Sequence, residues 1–141
     1  MMLFFIQNIL NQKERKMKCI IMGFFWRGDV ITAHEAHGAI SRFVGTIDID
    51  GAGKKFSGTI NDVYGDSTIS GEFKENEIVF TKEYTREARA GGAATNSIQY
   101  SFVPFIVNGA VMGWRGSWRK KKEPRTGQAV CLFFPDFRGL F

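Results

Sequence analysis

From Gly23 onward, apolar and polar residues alternate in short runs that break at turn-forming residues roughly every 10 to 13 positions, the spacing of an all-β domain. The runs predict eight strands, over residues 20–31, 40–48, 55–63, 67–73, 77–85, 97–107, 110–119 and 128–134. Asp50-Gly51-Ala52-Gly53 and Asn108-Gly109 are strong hairpin signals, the latter suited to a type I′ turn. Arg86–Asn96, rich in Ala and Gly, reads as the longest irregular piece and as the place for a lid. No amphipathic helical stretch of useful length lies between Gly23 and Phe134. Short connections make consecutive strands antiparallel, because a parallel pair needs a crossover of a dozen or more residues. Eight meandering strands cover their edges best by closing on themselves. The expected fold is all-β: a single antiparallel up-and-down barrel of about eight strands, preceded by a short helix or an extension.

An internal echo supports this layout. Phe43-Val44-Gly45-Thr46-Ile47 recurs as Phe56-Ser57-Gly58-Thr59-Ile60, and Thr68-Ile69-Ser70-Gly71 partly repeats it. Side chains alternate along a strand, so Phe, Gly and Ile of the pattern share the apolar face. Glycine there lets a strand coil while a neighbouring ring covers the bare backbone. Trp26-Arg27-Gly28 and Trp114-Arg115-Gly116 form a second echo, on the first and seventh strands.

Composition adds little to the class. The 141 residues suffice for one domain, and 14 Phe and 16 Gly suit pleated strands and tight turns. The net charge of +5 is local, concentrated in Lys13–Lys18 and in Arg119–Arg125, so no basic face for nucleic acid is expected. Cys19 and Cys131 read as two reduced, buried thiols, although closure of the barrel between first and last strands could make them neighbours able to form one bridge.

Met1–Leu10 is apolar but too short to span a bilayer, and it lacks the features of a secretory signal. Lys13-Glu14-Arg15 can be encoded by a purine-rich run resembling a ribosome-binding site just upstream of Met17. Residues 1–16 are therefore read either as an upstream extension of a protein starting at Met17, or as an amphipathic helix belonging to a chain that starts at Met1. The expected organisation is an extension over 1–22 that runs into the first strand, a barrel over 23–134 and a tail over 135–141, in a cytoplasmic protein.

The run Phe56-Ser57-Gly58, Ile69-Ser70-Gly71, Ile78–Tyr84 and Gly113-Trp114-Arg115-Gly116-Ser117-Trp118 resembles small lipocalin-like and avidin-like barrels of the calycin type, over about residues 23–134. The resemblance implies an eight-stranded meander holding a small ligand at its open end. True lipocalins carry Gly-x-Trp on the first strand, where this chain has Gly23-Phe24-Phe25-Trp26. The polar residues with which avidins hold biotin have no counterpart. The resemblance implies architecture and no named ligand.

Candidate chemistry is sparse. His34-Glu35-Ala36-His37 is the one cluster of metal-type ligands, with Asp29 nearby, but its spacing departs from the helical i, i+4 zinc pattern. A solvated loop is the favoured reading and no metal or cofactor is expected. Glu72 and Glu83 could meet across neighbouring strands, yet alternation turns both outward. The basic Arg119-Lys120-Lys121-Lys122 reads as an exposed hairpin loop. The aromatics carry the best hypothesis: Trp26, Phe43, Phe56, Phe73, Phe80, Tyr100, Phe102, Trp114 and Trp118 are candidates for the interior. A barrel of eight strands either fills with its own side chains or holds one small ligand.

Three functions follow. The first is binding of a small hydrophobic or aromatic ligand in the barrel by Trp26, Tyr84, Tyr100, Trp114, Arg115 and Trp118, with Tyr84, Tyr100 and Arg115 as polar groups at the mouth. The second is a filled barrel working as a homo-oligomer or protein-interaction domain through apolar residues of Phe133–Phe141. The third is an enzyme using the barrel mouth, for which no catalytic residues stand out.

Overall fold

The computed structural model describes residues 17–27, 40–121, 126–136 and 138. Eight strands form a closed barrel in the order of the chain: β1 (Met17–Arg27), β2 (Ile40–Ile49), β3 (Lys55–Asp62), β4 (Gly65–Lys74), β5 (Glu77–Tyr84), β6 (Ile98–Val107), β7 (Ala110–Lys120) and β8 (Thr126–Pro135). Every neighbouring pair is antiparallel, and β1 with β8 closes the circle in a register that sets Gly23 opposite Cys131. The expected meander and its closure are both present. The segment expected to be irregular holds a five-residue helix, α1 (Arg86–Ala90), whose first turn is capped by the Thr85 hydroxyl accepting from the Ala88 N–H at 3.2 Å.

The two barrel ends differ. At one end the chain reverses in short turns at 50–54, 75–76 and 108–109. Asn108 and Gly109 take the positive φ angles, 51° and 78°, that a type I′ turn requires. At the other, the loop end, lie the connections 63–64 and 85–97 and the strand ends Arg27, Ile40, Lys120 and Thr126.

The repeated glycines act at the strand contacts. In the β2–β3 ladder Gly45 stands opposite Ile60 and Gly58 opposite Ile47. A Cβ at Gly58 would drive into the Thr46 carbonyl, and one at Gly45 into that of Thr59. Two adjacent strands thus approach more closely than side chains would permit, and the neighbouring Ile and Phe fill the space within.

The lumen is lined by aromatic rings. Phe43, Phe56, Phe80, Tyr100, Phe102 and Phe133 each expose 3% of their surface or less. Phe80 stacks on Tyr100 with centroids 4.7 Å apart, Phe56 meets Phe73 at 4.9 Å, and Phe102 continues the stack from Tyr100 at 6.0 Å. Burial of each such ring is worth about 1.5–3 kcal/mol, with a further increment from ring–ring geometry. Trp114 and Trp118 complete the wall at 6% and 5% exposure. Cys19 and Cys131 are buried free thiols. Cys19 faces Pro135 and Cys131 faces Gly23 across the seam, so the expectation that closure could make the cysteines neighbours fails by four positions of register.

Candidate functional site

Two places in the barrel hold more than packing. The first is a buried polar cluster inside the lumen at the loop end. Asp62 closes β3, while Lys82 and Tyr84 stand two residues apart on the inner face of β5. The intervening β4 offers only the small residues Gly65 and Ser67 opposite Asp62 and Tyr84, which leaves room for the two strands to reach each other. Lys82 Nζ lies 3.0 Å from Asp62 Oδ2 and 3.0 Å from the Tyr84 hydroxyl oxygen. The Tyr84 hydroxyl donates to the same Asp62 oxygen at 2.7 Å, and the Tyr64 N–H donates to Asp62 Oδ1 at 2.8 Å. Lys82 is 1% exposed. Its ammonium lies over the rings of Phe25 and Tyr84, both at 4.6 Å, and of Tyr100 at 5.3 Å. Two hydrogen bonds and three ring faces thus surround one ammonium group.

The electrostatics follow from that burial. Desolvation lowers the pKa of Lys82, opposed by the attraction and hydrogen bond of Asp62. Burial, then the hydrogen bond to Asp62, raises the pKa of the Tyr84 phenol, and burial raises that of Tyr100. The same cause pushes the Cys19 thiol up to about 12 and Cys131 well above its usual value. Lys82, Asp62 and Tyr84 thus satisfy one another's hydrogen bonds inside the barrel. Nearby on β1 and β2, Trp26 Nε1 and Ser41 Oγ are buried with no hydrogen-bond partner among the described residues.

The second place is on the outer wall. A groove of about 410 Å³ runs over β2, β1, β8, β7 and the end of β6. Its floor and sides come from Met22, Phe24, Val44, Val130 and Leu132, with Phe105 and Met112 at one edge. All seven are exposed, from 38% at Val130 to 58% at Met112. They meet because the closed ladder sets them in rows: Met22 lies between Leu132 and Val44, and Phe24 lies between Val130 and Arg42. Arg115 continues the second row beyond Val130. By contrast, the outward positions of β3 and β4 are polar, Ser57, Thr59, Asn61, Asp66, Thr68 and Ser70 among them.

The residues expected to form one lumenal site are divided between these surfaces. Tyr84 lies buried at the loop end of the lumen, and Tyr100, Trp114 and Trp118 are lumenal. Trp26 is a correction: Phe25 takes the inward position, and Trp26 stands half-buried on the outer side between Ile40 and Gln128. Its carbonyl accepts the Trp118 indole N–H at 2.9 Å, which ties the end of β1 to β7. Arg115 points outward to the groove, with its guanidinium 6.0 Å from the Phe105 ring, so it belongs to no lumenal mouth. Phe133, expected to be an exposed contact, turns inward at 1% exposure because it shares the parity of the buried Ala129 and Cys131 on β8. Glu72 and Glu83 do not pair; they face Val79 and Thr68 across the ladder. His34, Glu35 and His37, Asp29, the extension 1–16 with its alternative start and most of the tail lie outside the described residues.

Asp62 and Lys82 escaped the sequence reading although a signal was present. Lys82 falls between Phe80 and Tyr84 at the inward parity of β5, and Asp62 continues the inward series Phe56, Gly58, Ile60. Opposite charges at core positions of next-nearest strands are the pattern that announces a buried pair. Among the described residues no helix is long and apolar enough to cross a membrane. No protein-family model matches the chain, and no curated protein matches it either.

Proposed function

We propose that this barrel is a binding protein whose small apolar ligand lies in the outer groove, and not in the lumen. The observation that carries this reading is the contrast between a lumen packed with stacked rings and a concave outer surface that leaves seven large apolar side chains in water. At about 410 Å³ the groove falls within the range of small-molecule sites, and its composition, an apolar floor with a few polar groups, is the usual one. Of the residues expected to contact a ligand, Trp114 and Arg115 are among its lining.

Titration with Nile red, a neutral flat apolar dye, tests the reading. Saturable one-to-one binding is expected, with loss of binding in Leu132→Gln and none in Tyr100→Phe, which lies in the lumen. Absence of saturable binding, or binding indifferent to Leu132, overturns it.

A further inference from the structure

Resting on that reading, we infer that the ligand of the groove is an amphiphilic anion, a carboxylate on a single alkyl chain. The inference comes from what borders the apolar floor. Arg42 flanks Phe24 on one side, and Arg115 flanks Val130 on the other, in one row of the ladder across β2, β1, β8 and β7. Three strand steps separate the two residues, about 14 Å at the usual interstrand spacing. Both line the groove and both are exposed. The lining contains no carboxylate, and among the described residues neither guanidinium has an ion-pair partner; Arg115 contacts only the face of Phe105.

Three cations elsewhere in the barrel are ion-paired. Lys82 has Asp62, Lys74 has Glu72, and Arg138 has Asp136. Two unmatched guanidinium groups on opposite sides of an apolar strip invert the design of a core, where apolar surface is kept apart from unpaired charge. A neutral apolar ligand would cover the strip and strip water from the guanidinium groups with nothing in exchange. An alkyl carboxylate supplies the chain for Phe24, Val130, Met22 and Leu132 and an acceptor for charge-assisted hydrogen bonds from arginine.

The same pair of arginines argues against a second copy of this chain as the occupant. In a two-fold contact the same patch meets itself, which gathers Arg42 and Arg115 of both copies, four cations, into one interface. The groove provides no acid to relieve that repulsion.

The test compares three probes of equal chain length, titrated into the full chain by calorimetry and followed by amide NMR shifts: octanoate, 1-octanol and octylammonium. Octanoate is expected to bind about tenfold or more tighter than octanol, the scale of one charged hydrogen bond, with octylammonium weakest. In Arg42→Gln/Arg115→Gln, with circular dichroism unchanged, octanoate should fall to the level of octanol. Octanol binding as tightly as octanoate at Met22 and Leu132 overturns the anion inference and leaves the groove reading standing. Absence of binding by all three overturns both. Binding to anionic phosphatidylglycerol vesicles without binding of octanoate overturns the inference in favour of a membrane surface. A dimer in sedimentation velocity that octanoate fails to dissociate overturns it in favour of a second copy.

Discussion

Asp62 and Lys82 are twenty positions apart in the chain, on strands that are not neighbours, yet their charged atoms meet at 3.0 Å inside the barrel. Neither side chain has an aqueous alternative, since both are at most 1% exposed. Removing one partner therefore strands a buried charge. Asp62→Ala and Lys82→Met are each expected to cost about 3–5 kcal/mol, whereas the joint Asp62→Leu/Lys82→Met variant should be more stable than either. Urea denaturation of the three variants decides the matter. A double variant as unstable as the sum of the singles would show the pair to be uncoupled.

Alkaline solution probes the same interior. Burial raises the pKa values of Tyr84, Tyr100, Cys19 and Cys131 in the folded chain. The unfolded chain therefore releases these protons first, near pH 9 for the thiols and near pH 10 for the phenols, and binds fewer protons than the folded one above those values. Stability contributed by the four groups is complete below pH 9 and declines as pH rises. Lys82, whose folded pKa is lowered, acts in the opposite sense up to its unfolded value of 10.5. Tyr100→Phe isolates one group: above pH 10 its stability should fall less steeply than that of the parent, by about 1.4 kcal/mol per pH unit. The urea midpoint measured from pH 8 to 11 reads this slope, and identical slopes for the two proteins would contradict it.

Ser41 makes the opposite prediction about a polar group. Its hydroxyl is buried at the start of β2 without a hydrogen-bond partner among the described residues. Ser41→Ala should raise stability by about 1 kcal/mol, because the cost of desolvating the hydroxyl disappears. A loss of more than 1 kcal/mol in thermal or urea unfolding would count against that account.

Gly58→Ala tests the close approach of β2 and β3. The added methyl group meets the Thr46 carbonyl and the backbone of Ile47, so the ladder must spread. A loss of about 3 kcal/mol is expected, at the upper end for overpacking, while Ser57→Ala on the exposed outer face of the same strand should change little. Equal effects of the two substitutions would remove the steric argument.

Much of the fold was legible because its signals are local. Asn108-Gly109 announces its turn, and the alternation of Phe43, Gly45 and Ile47 announces its inward face. Each strand boundary needs only a few residues of context. The error at Trp26 is local as well: one step of parity separates it from Phe25, and a side chain on the wrong side of a strand is what one step produces. The candidate site was far less legible. Asp62 and Lys82 meet across β4, and the apolar rows join β2 to β8 through the seam with β1. Such neighbours are set by which strands lie beside which, and no window along the chain contains them. Met112 shows the limit: it shares the parity of the buried Trp114 yet is 58% exposed, because the β6–β7 register shifts between Phe105 and Ile106 and leaves Met112 unpaired in a bulge that turns it outward.

The pairing of β1 with β8 also orders events during synthesis. Phe24 cannot find Val130, nor Met22 find Leu132, until β8 has left the ribosome. Until then the nascent sheet carries two open edges, and contacts this distant in sequence form slowly. The last strand is thus the latch of the assembly. A chain arrested before residue 126 should be prone to aggregation, and the groove would come into being only as the seam shuts.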